Sequence, residues 1–264
     1  MMETILILKE GFSNKFWKIK VAGKSHTVTY GKIGTVGAVK VKTFETEEAC
    51  QKNADRLVRS KMKKGYVPAN PSDQLMKEST MTDHLFWEII KIAIQKGEDA
   101  DEQIEWLINH LSKKPVKEIV MFDYYFNQNY MKSYTSALWA AAYIIMGGAS
   151  DDSFDYFRAW LLYQGKDTYE TVIHDPEKII PHLKVLEDDE YVPQLEDLLS
   201  VASIAYEEKT GLDYDDYYEL YEKITEDQNR MPDIEFDWDE DDEEGLKKKF
   251  PALWARYGES PLEY

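Results

Sequence analysis

Near the start of the chain, apolar and polar residues follow the short-period pattern of β-strands. Residues 4–9 are β-branched and apolar, and residues 15–21, 25–31 and 39–44 follow period-two patterning. Glycines punctuate these segments, and glycine adopts turn conformations that other residues resist. The pattern predicts a small antiparallel β-sheet with four lysines at exposed strand positions: Lys18, Lys20, Lys40 and Lys42.

A helix is predicted directly after these strands. Thr46 is a favourable N-cap, and Glu47 and Glu48 follow in the first turn, where the helix dipole favours carboxylates. Gly65 is expected to end the helix. Helical spacing gives it one apolar face for packing on the sheet, formed by Cys50, Ala54, Leu57 and Val58.

The opposite face of this helix carries a basic stripe at positions i, i+4, i+7 and i+11, formed by Lys52, Arg56, Arg59 and Lys63. For a helix taken alone, an ordinary solvated face explains such a stripe about as well as a binding surface does. Because the strands are also rich in lysine, the stripe favours contact with phosphates.

This segment resembles the WGR domain. The motifs that carry the resemblance are K-F-W-K-I, Y-G-K-I-G-T-V-G, F-E-T-E-E-A and L-V-R-S-K-M-K-K-G-Y, in that order along residues 3–66. The family occurs in poly(ADP-ribose) polymerases and in bacterial proteins similar to a molybdate-metabolism regulator. The resemblance implies binding to a DNA or RNA end or to a phosphate backbone.

The resemblance also implies roles for Tyr30 and Lys32. They stand at the positions of the Trp and Arg that name the family, which in the polymerases contact a DNA end and neighbouring domains. Tyrosine keeps an aromatic face for stacking on a base or ribose. Lysine keeps the charge but loses the planar, two-pronged hydrogen bonding of arginine. A simple edge aromatic is the other interpretation of Tyr30, and a surface strand residue is the preferred one for His26.

After residue 66 the hydrophobic period becomes helical. Residues 67–80 read as a linker because they contain two prolines among turn formers. Amphipathic helices are predicted over 85–95, 102–111, 119–130, 191–209, 213–225 and 245–257, and residues 136–146 are apolar all round, as in a central helix. The predicted fold is therefore α+β: a WGR-like domain at 1–66, then a larger all-α domain at 81–264.

The helix predicted after Ser150 carries the one cluster that suggested chemistry: Asp151, Asp152, Asp155 and Arg158. Carboxylates near an arginine are compatible with a metal-dependent phosphoesterase. Stabilisation of the helix dipole by Asp151 and Asp152 in the first turn, and an i,i+3 ion pair between Asp155 and Arg158, explain the same residues better. Histidine and cysteine spacings fit no zinc site, and phosphate-binding loops are not found. The sequence therefore predicts no catalytic residue, metal or cofactor.

Residues 82–180 resemble a second family, the bacterial domain of unknown function 4240. The motifs are F-W-E-I-I and the run L-W-A-A-A-Y-I-I-M-G-G-A-S-D-D-S-F-D-Y-F-R-A-W-L-L-Y-Q-G-K-D-T-Y-E, then D-P-E. The resemblance implies a helical domain and no activity. Four residues of this pattern allow two interpretations, a groove lining or a helix stop and a turn: Gln164, Gly165, Asp175 and Pro176.

Charge divides the chain. The total is −18, yet residues 1–66 hold 14 basic and 6 acidic residues, a balance of +8, and the remaining 18 basic and 44 acidic residues give −26. Such asymmetry suggests a nucleic-acid-facing part joined to one that repels nucleic acid. With 43% hydrophobic residues, a single cysteine and neither a signal peptide nor a membrane-spanning segment, a cytoplasmic protein is expected.

Residues 233–244, DIEFDWDEDDEE, hold nine acids among twelve positions. A solvated or disordered loop is the usual interpretation. A sharper hypothesis is that the segment mimics a phosphate backbone and covers the basic WGR face, with Phe236 or Trp238 in the place of a stacked base.

Three functions stay open on the sequence. The leading one is a non-enzymatic nucleic-acid-binding or regulatory protein whose acidic domain offers a partner or autoinhibitory surface. The second is an acidic antitoxin-like or immunity-like protein that neutralises a basic partner. The third is a metal-dependent phosphoesterase-like enzyme. DNA, RNA or a protein are the expected partners, without a membrane, and the sequence does not define the oligomeric state.

Overall fold

The computed structural model describes residues 2–10, 13–70, 79–189, 191–225 and 232–262. Contacts divide the chain into two compact units. The first unit comprises Met1–Met81, Leu111–Met121 and Tyr206–Glu226, and the second comprises Thr82–His110, Phe122–Ala205 and Asp227–Tyr264. The predicted α+β organisation is confirmed, with the strands near the N-terminus and helices after them.

Within the described residues, the first unit contains a five-stranded antiparallel sheet of order β4-β3-β2-β1-β5. The strands are β1 Met2–Glu10, β2 Ser13–Ala22, β3 Ser25–Lys32, β4 Ala38–Thr43 and β5 Val67–Pro68. Strand β5 was not predicted, because its two residues are the first two of the predicted linker. They pair with Leu6 and Ile7 at the edge of the sheet, where proline is tolerated since no neighbour needs its missing N–H. Residues 71–78 of the linker lie outside the described residues.

Helix α1, Glu47–Lys63, packs on one face of this sheet. Thr46 caps it as predicted, its hydroxyl accepting the Ala49 N–H at 3.1 Å. Cys50 and Ala54 are fully buried from the helix side. They meet buried sheet residues that alternate along the strands and so share a face: Leu6, Trp17, Ile19, Val21 and Val28. Period-two strands and a period-3.6 helix therefore supply the two halves of one small core.

The remaining α-helices of the described residues are α2 Asp83–Ala93, α3 Ala100–Ser112, α4 Val116–Lys132, α5 Ser136–Met146, α6 Asp151–Tyr163, α7 Lys166–His174, α8 Ile180–Asp189, α9 Val201–Thr210, α10 Tyr214–Thr225, α11 Glu243–Lys249 and α12 Pro251–Leu253. Helix α5 has the predicted bounds and is buried at eight positions, so it forms the centre of its unit. Gly147 follows it at φ +66°, the left-handed conformation that closes a helix. None of the described helices is long and apolar enough to cross a membrane.

Two predicted helices differ from the structure at prolines. The helix expected over 191–209 begins only with a 3-10 turn, Glu196–Ser200, before α9. Pro193 lacks an N–H and disfavours a helical residue before it, so the chain stays irregular while Val192 and Leu195 are buried. The helix expected over 245–257 ends with α11 and restarts at Pro251, and Glu177 accepts the N–H groups of Ala252 and Leu253.

Candidate nucleic-acid interface

The direction of α1 across the sheet follows from three contacts. Near its start, the Glu47 carboxylate lies 3.8 Å from the position a Cβ would take on Gly23. Further along, Asn53 Oδ1 lies 3.1 Å from His26 Nε2 on β3. Near its end, Lys61 Nζ lies 5.7 Å from the ring of Trp17, whose cross-strand partner is Tyr30. The helix therefore runs along β3, from the Gly23 turn toward Tyr30.

The basic stripe faces solvent on the surface of α1 opposite the face that packs on the sheet. Asn53 faces β3, whereas Gln51 reaches Met2 on β1, and these two contacts fix the rotation of the helix. At about 100° per residue, Arg56 follows Asn53 on the β3 flank, with the rest of the stripe further outward. All four of its residues are exposed: Lys52, Arg56, Arg59 and Lys63.

The four strand residues that were predicted to bind nucleic acid lie on the same face of the sheet as α1: Tyr30, Lys32, Lys40 and Lys42. Tyr30 pairs with Trp17, Lys40 pairs with Val28, and directly paired residues of antiparallel strands face the same side. Lys42 pairs with His26, and Lys32 follows Tyr30 by two positions. These side chains are exposed at the β3–β4 side of the helix. All eight predicted nucleic-acid-binding residues therefore lie on one side of the domain.

Further lysines extend this surface, although the sequence pattern did not select them. Burial, then the neighbouring ammonium groups of Lys64 and Lys15, lower the pKa of Lys61. Lys15 is the cross-strand partner of Lys32. The end of α1 and the end of β3 thus concentrate positive charge beside Tyr30. Helical periodicity does not reveal this cluster, because strand pairing brings Lys15 to it from a distant part of the sequence.

Two expectations about the sheet are wrong. Lys18 and Lys20 are half-buried on the face opposite α1, because strand alternation separates them from Trp17 and Ile19. His26 was expected on the surface but is 3% exposed, packed at 5.3 Å from the Phe44 ring and bonded to Asn53. Its strand position faces α1, which covers it.

In the acidic cluster of α6, Asp151 and Asp152 lie in the first turn of the helix and Asp155 forms an ion pair with Arg158. Ser150 caps the helix, with Asp151 and Asp152 in its first turn. Arg158 is fully buried and pairs with Asp155, while it donates to the Tyr130 carbonyl at 3.0 Å. Across the described ranges, no group of three or more His, Cys, Asp or Glu side chains is placed to hold a metal ion.

The residues predicted to line a groove or to form a helix stop and a turn, Gln164, Gly165, Asp175 and Pro176, form two turns. Gln164 follows α6 and donates to the Trp160 carbonyl at 3.1 Å. Gly165 adopts φ +90° between α6 and α7. Asp175 accepts the Glu177 N–H at 3.2 Å, capping the 3-10 turn Pro176–Ile179, in which Pro176 is buried.

The acidic segment, residues 233–244, packs on α5 within its own unit. Trp238 Nε1 donates to the Ser136 carbonyl at 3.0 Å, and the Ser136 hydroxyl donates to Asp237 at 2.6 Å. The Phe236 ring lies 5.2 Å from that of Trp139, and the Trp238 ring lies 5.3 Å from that of Tyr143. The structure thus gives both aromatic rings partners on α5 rather than the place of a stacked base. All nine acidic residues of the segment are exposed.

Lysine and serine partners hold this segment at its centre. The Lys249 ammonium, followed by the Ser136 hydroxyl, lowers the pKa of Asp237. Burial, followed by the carboxylates of Glu240, Asp241 and Glu243, raises the pKa of the Tyr143 phenol. Aromatic side chains therefore anchor the segment while its carboxylates form a dense anionic surface.

Comparison with known families assigns both parts of the chain. The family model of the WGR domain matches residues 2–73, and that of DUF4240, a protein of unknown function, matches residues 81–208. The chain thus carries a WGR domain followed by a DUF4240 domain. The WGR domain is a family of nucleic-acid-binding modules, whereas the DUF4240 family has no known function.

Individual relatives match only part of this chain. The chain is 46% identical over 65 residues to the uncharacterized protein YfeS of Escherichia coli K12, covering 25% of this chain and 27% of that protein. It is 32% identical over 79 residues to protein YehF of the same strain, covering 30% and 29%. These matches span less than a third of the curated relatives. A crystal structure of a Bacteroides fragilis protein shares 29% identity over 38% of this chain and 30% of that chain, with a TM-score of 0.26.

Proposed function

We propose that this protein is a non-enzymatic nucleic-acid-binding protein that contacts DNA or RNA ends through the α1 side of its WGR domain. The observation that carries the proposal is the common orientation of the predicted residues. The stripe on α1, the two β4 lysines and the β3 pair Tyr30 and Lys32 lie on one side of one small domain. A row of cations beside an exposed aromatic ring fits a backbone that ends in an accessible base.

Charge supplies most of the affinity in this proposal. Each phosphate that a lysine or arginine neutralises releases counterions, so affinity falls with salt at a slope of about −0.9 per contact on duplex DNA. Tyr30 adds a term that does not depend on salt. Tyr30 is 37% exposed and is the cross-strand partner of the buried Trp17, so a base or ribose can stack on its ring without rearrangement of the core.

The first test reverses charge on α1 in the full chain. Arg56→Glu, Arg59→Glu and Lys63→Glu together are expected to weaken binding to blunt, nicked and single-stranded probes and to reduce the salt slope by about 3, one per lost contact. Fluorescence anisotropy across a salt series measures both quantities. The matched control reverses three exposed lysines of the second unit, Lys91, Lys184 and Lys248. Equal loss in the control, or no binding by the native chain, would contradict the proposal.

Tyr30 is tested separately because its contribution is aromatic. Tyr30→Ala is expected to weaken binding to probes with an unpaired terminal base by about tenfold, within the range of about 1–3 kcal/mol per stacked base. Tyr30→Phe keeps the ring and is expected to bind like the native chain. The exposed Tyr191, 67% accessible, provides the control Tyr191→Ala. If Tyr30→Phe lost as much affinity as Tyr30→Ala, the phenol oxygen rather than stacking would be responsible.

The acidic segment supports a second candidate function, a surface for a basic protein partner. Nine exposed carboxylates held by anchored aromatic rings present a fixed anionic patch, and complementary charge speeds and orders protein association. Co-purification from the native host tests this candidate. A basic partner should be lost when Asp233, Glu235, Glu240 and Asp241 are neutralised. Retention of that partner by the neutralised chain would refute this role.

A further inference from the structure

A small cavity lies on the sheet face opposite α1, within the first compact unit. Its volume is about 190 Å3. Its polar lining consists of four lysines and two threonines: Lys18, Lys20, Thr27, Thr29, Lys117 and Lys223. None of these residues belongs to the candidate nucleic-acid interface, which occupies the other face of the sheet.

Strand pairing explains why the sheet residues converge. Lys18 pairs with Thr29, and Lys20 pairs with Thr27, so four polar side chains form a compact square on one face. Lys117 comes from the first turn of α4, and Lys223 comes from the last turn of α10. Helix α10 is fixed near the sheet because Thr43 on β4 donates a hydrogen bond to Glu219.

The cavity is strongly cationic for a chain whose net charge is −18. Among its described lining residues none is acidic. Lys18 and Lys223 have carboxylate neighbours outside the lining. Glu3 lies 2.8 Å from Lys18, and Glu219 contacts Lys223. The side chains of Lys18 and Lys223 are only 24% and 23% exposed. Their ammonium groups are therefore held beside the cavity rather than extended into solvent.

We propose that this cavity binds the phosphate group of a small phosphorylated ligand. Four ammonium groups and two hydroxyls offer donors on several sides, as a tetrahedral oxyanion requires, and lysine binds phosphate as a compact point charge. Pockets for drug-sized ligands measure roughly 300–1,000 Å3, so this cavity suits one or two phosphate groups. The apolar side chains Val39 and Ile224 complete the wall and exclude part of the surrounding water.

Isothermal titration of the full chain with inorganic phosphate and pyrophosphate tests this site. Lys20→Gln with Lys117→Gln is expected to weaken pyrophosphate binding by at least about tenfold, because each substitution removes a charge-assisted hydrogen bond to the anion. The control Lys91→Gln with Lys184→Gln removes the same charge from exposed positions outside both sites and is expected to change the affinity less than about twofold. Thr27→Val with Thr29→Val provides a second, charge-neutral variant, and urea unfolding confirms that each variant folds.

Three results would overturn the site. The first is the absence of saturable binding of either anion to the native chain. The second is equal weakening in the Lys91 and Lys184 control, which would indicate diffuse attraction. The third is binding of an oligonucleotide that the Lys20 and Lys117 variant weakens while neither free anion binds, since the ligand would then be a phosphodiester of nucleic acid. Because the α1 variants test the other face, failure here leaves the proposed function intact.

Discussion

Arg158 shows how one residue can be placed by aromatic rings rather than by its ion pair. Its side chain is fully buried, and its guanidinium carbon lies 3.7 Å from the centre of the Tyr130 ring, with Tyr134 and Phe154 at 5.0 and 5.1 Å. Asp155 is the ionic partner, but its side chain is 36% exposed. Water therefore screens the ion pair, whereas the cation–π contacts lie in a dry environment.

This arrangement predicts unequal effects on stability. Arg158→Lys keeps the charge but loses the planar stack and the fixed donor geometry, and it is expected to lower the free energy of unfolding by about 2–3 kcal/mol. Asp155→Asn is expected to lower it by less than about 1 kcal/mol. Urea unfolding followed by circular dichroism measures both values. Equal losses would show that the ion pair dominates.

At the scale of elements, the turn that joins β3 to β4 depends on close packing against the sheet. Gly37 has φ +81°, and a Cβ on it would lie 2.6 Å from the Phe16 ring, which is fully buried. Gly34, in the same turn, has φ +84°, and a Cβ there would have nothing within 4 Å. The two glycines share a backbone conformation and differ in their surroundings.

Substitution of these glycines separates the two effects. Gly34→Ala is expected to lower the free energy of unfolding by about 1–2 kcal/mol, the cost of a left-handed residue with a Cβ. Gly37→Ala is expected to cost at least about 1 kcal/mol more, because Phe16 must move in a packed core. The difference in urea midpoints at constant slope measures this. Similar midpoints would mean that Phe16 relaxes without cost.

At the scale of the whole molecule, the chain combines a basic WGR domain with strongly acidic sequence, which would repel the nucleic acid of the proposed function. The acidic segment concentrates nine exposed carboxylates in twelve residues, and α5 holds it through Ser136 and two aromatic contacts. Electrostatic repulsion acts over a screening length of about 10 Å at 0.1 M salt and about 3 Å at 1 M. The acidic sequence should therefore limit nucleic-acid binding mainly at low salt.

Neutralisation of the acidic segment tests this restraint while its anchors remain. Asp233→Asn, Glu235→Gln, Glu240→Gln and Asp241→Asn together are expected to raise DNA affinity at low salt, with the gain vanishing near 1 M because of screening. The control neutralises four exposed acids elsewhere in the second unit: Asp101, Glu105, Glu170 and Asp197. Anisotropy titrations compare the two. An equal gain in the control would assign the effect to net charge rather than to the segment.

The sequence by itself determined the elements and their faces. Period-two strands, a capped helix with apolar and basic faces, and the all-apolar α5 could be predicted because side-chain periodicity reports directly which face is buried. The residues of the α1 stripe were selected in this way, and the structure finds all of them exposed. The breaks at Pro193 and Pro251 were available from the same sequence, but amphipathic spacing on both sides masked them.

Tertiary structure alone decided which side chains meet. Strand pairing sends Lys40 and Lys42 to the α1 side and Lys18 and Lys20 to the opposite face, because a one-residue offset reverses the direction of a side chain. His26 is buried because α1 packs over its position on β3. The lining of the cavity brings together Lys18, Lys117 and Lys223, which are about a hundred positions apart in the chain. Local periodicity carries no information about such distances, whereas packing of the elements fixes them.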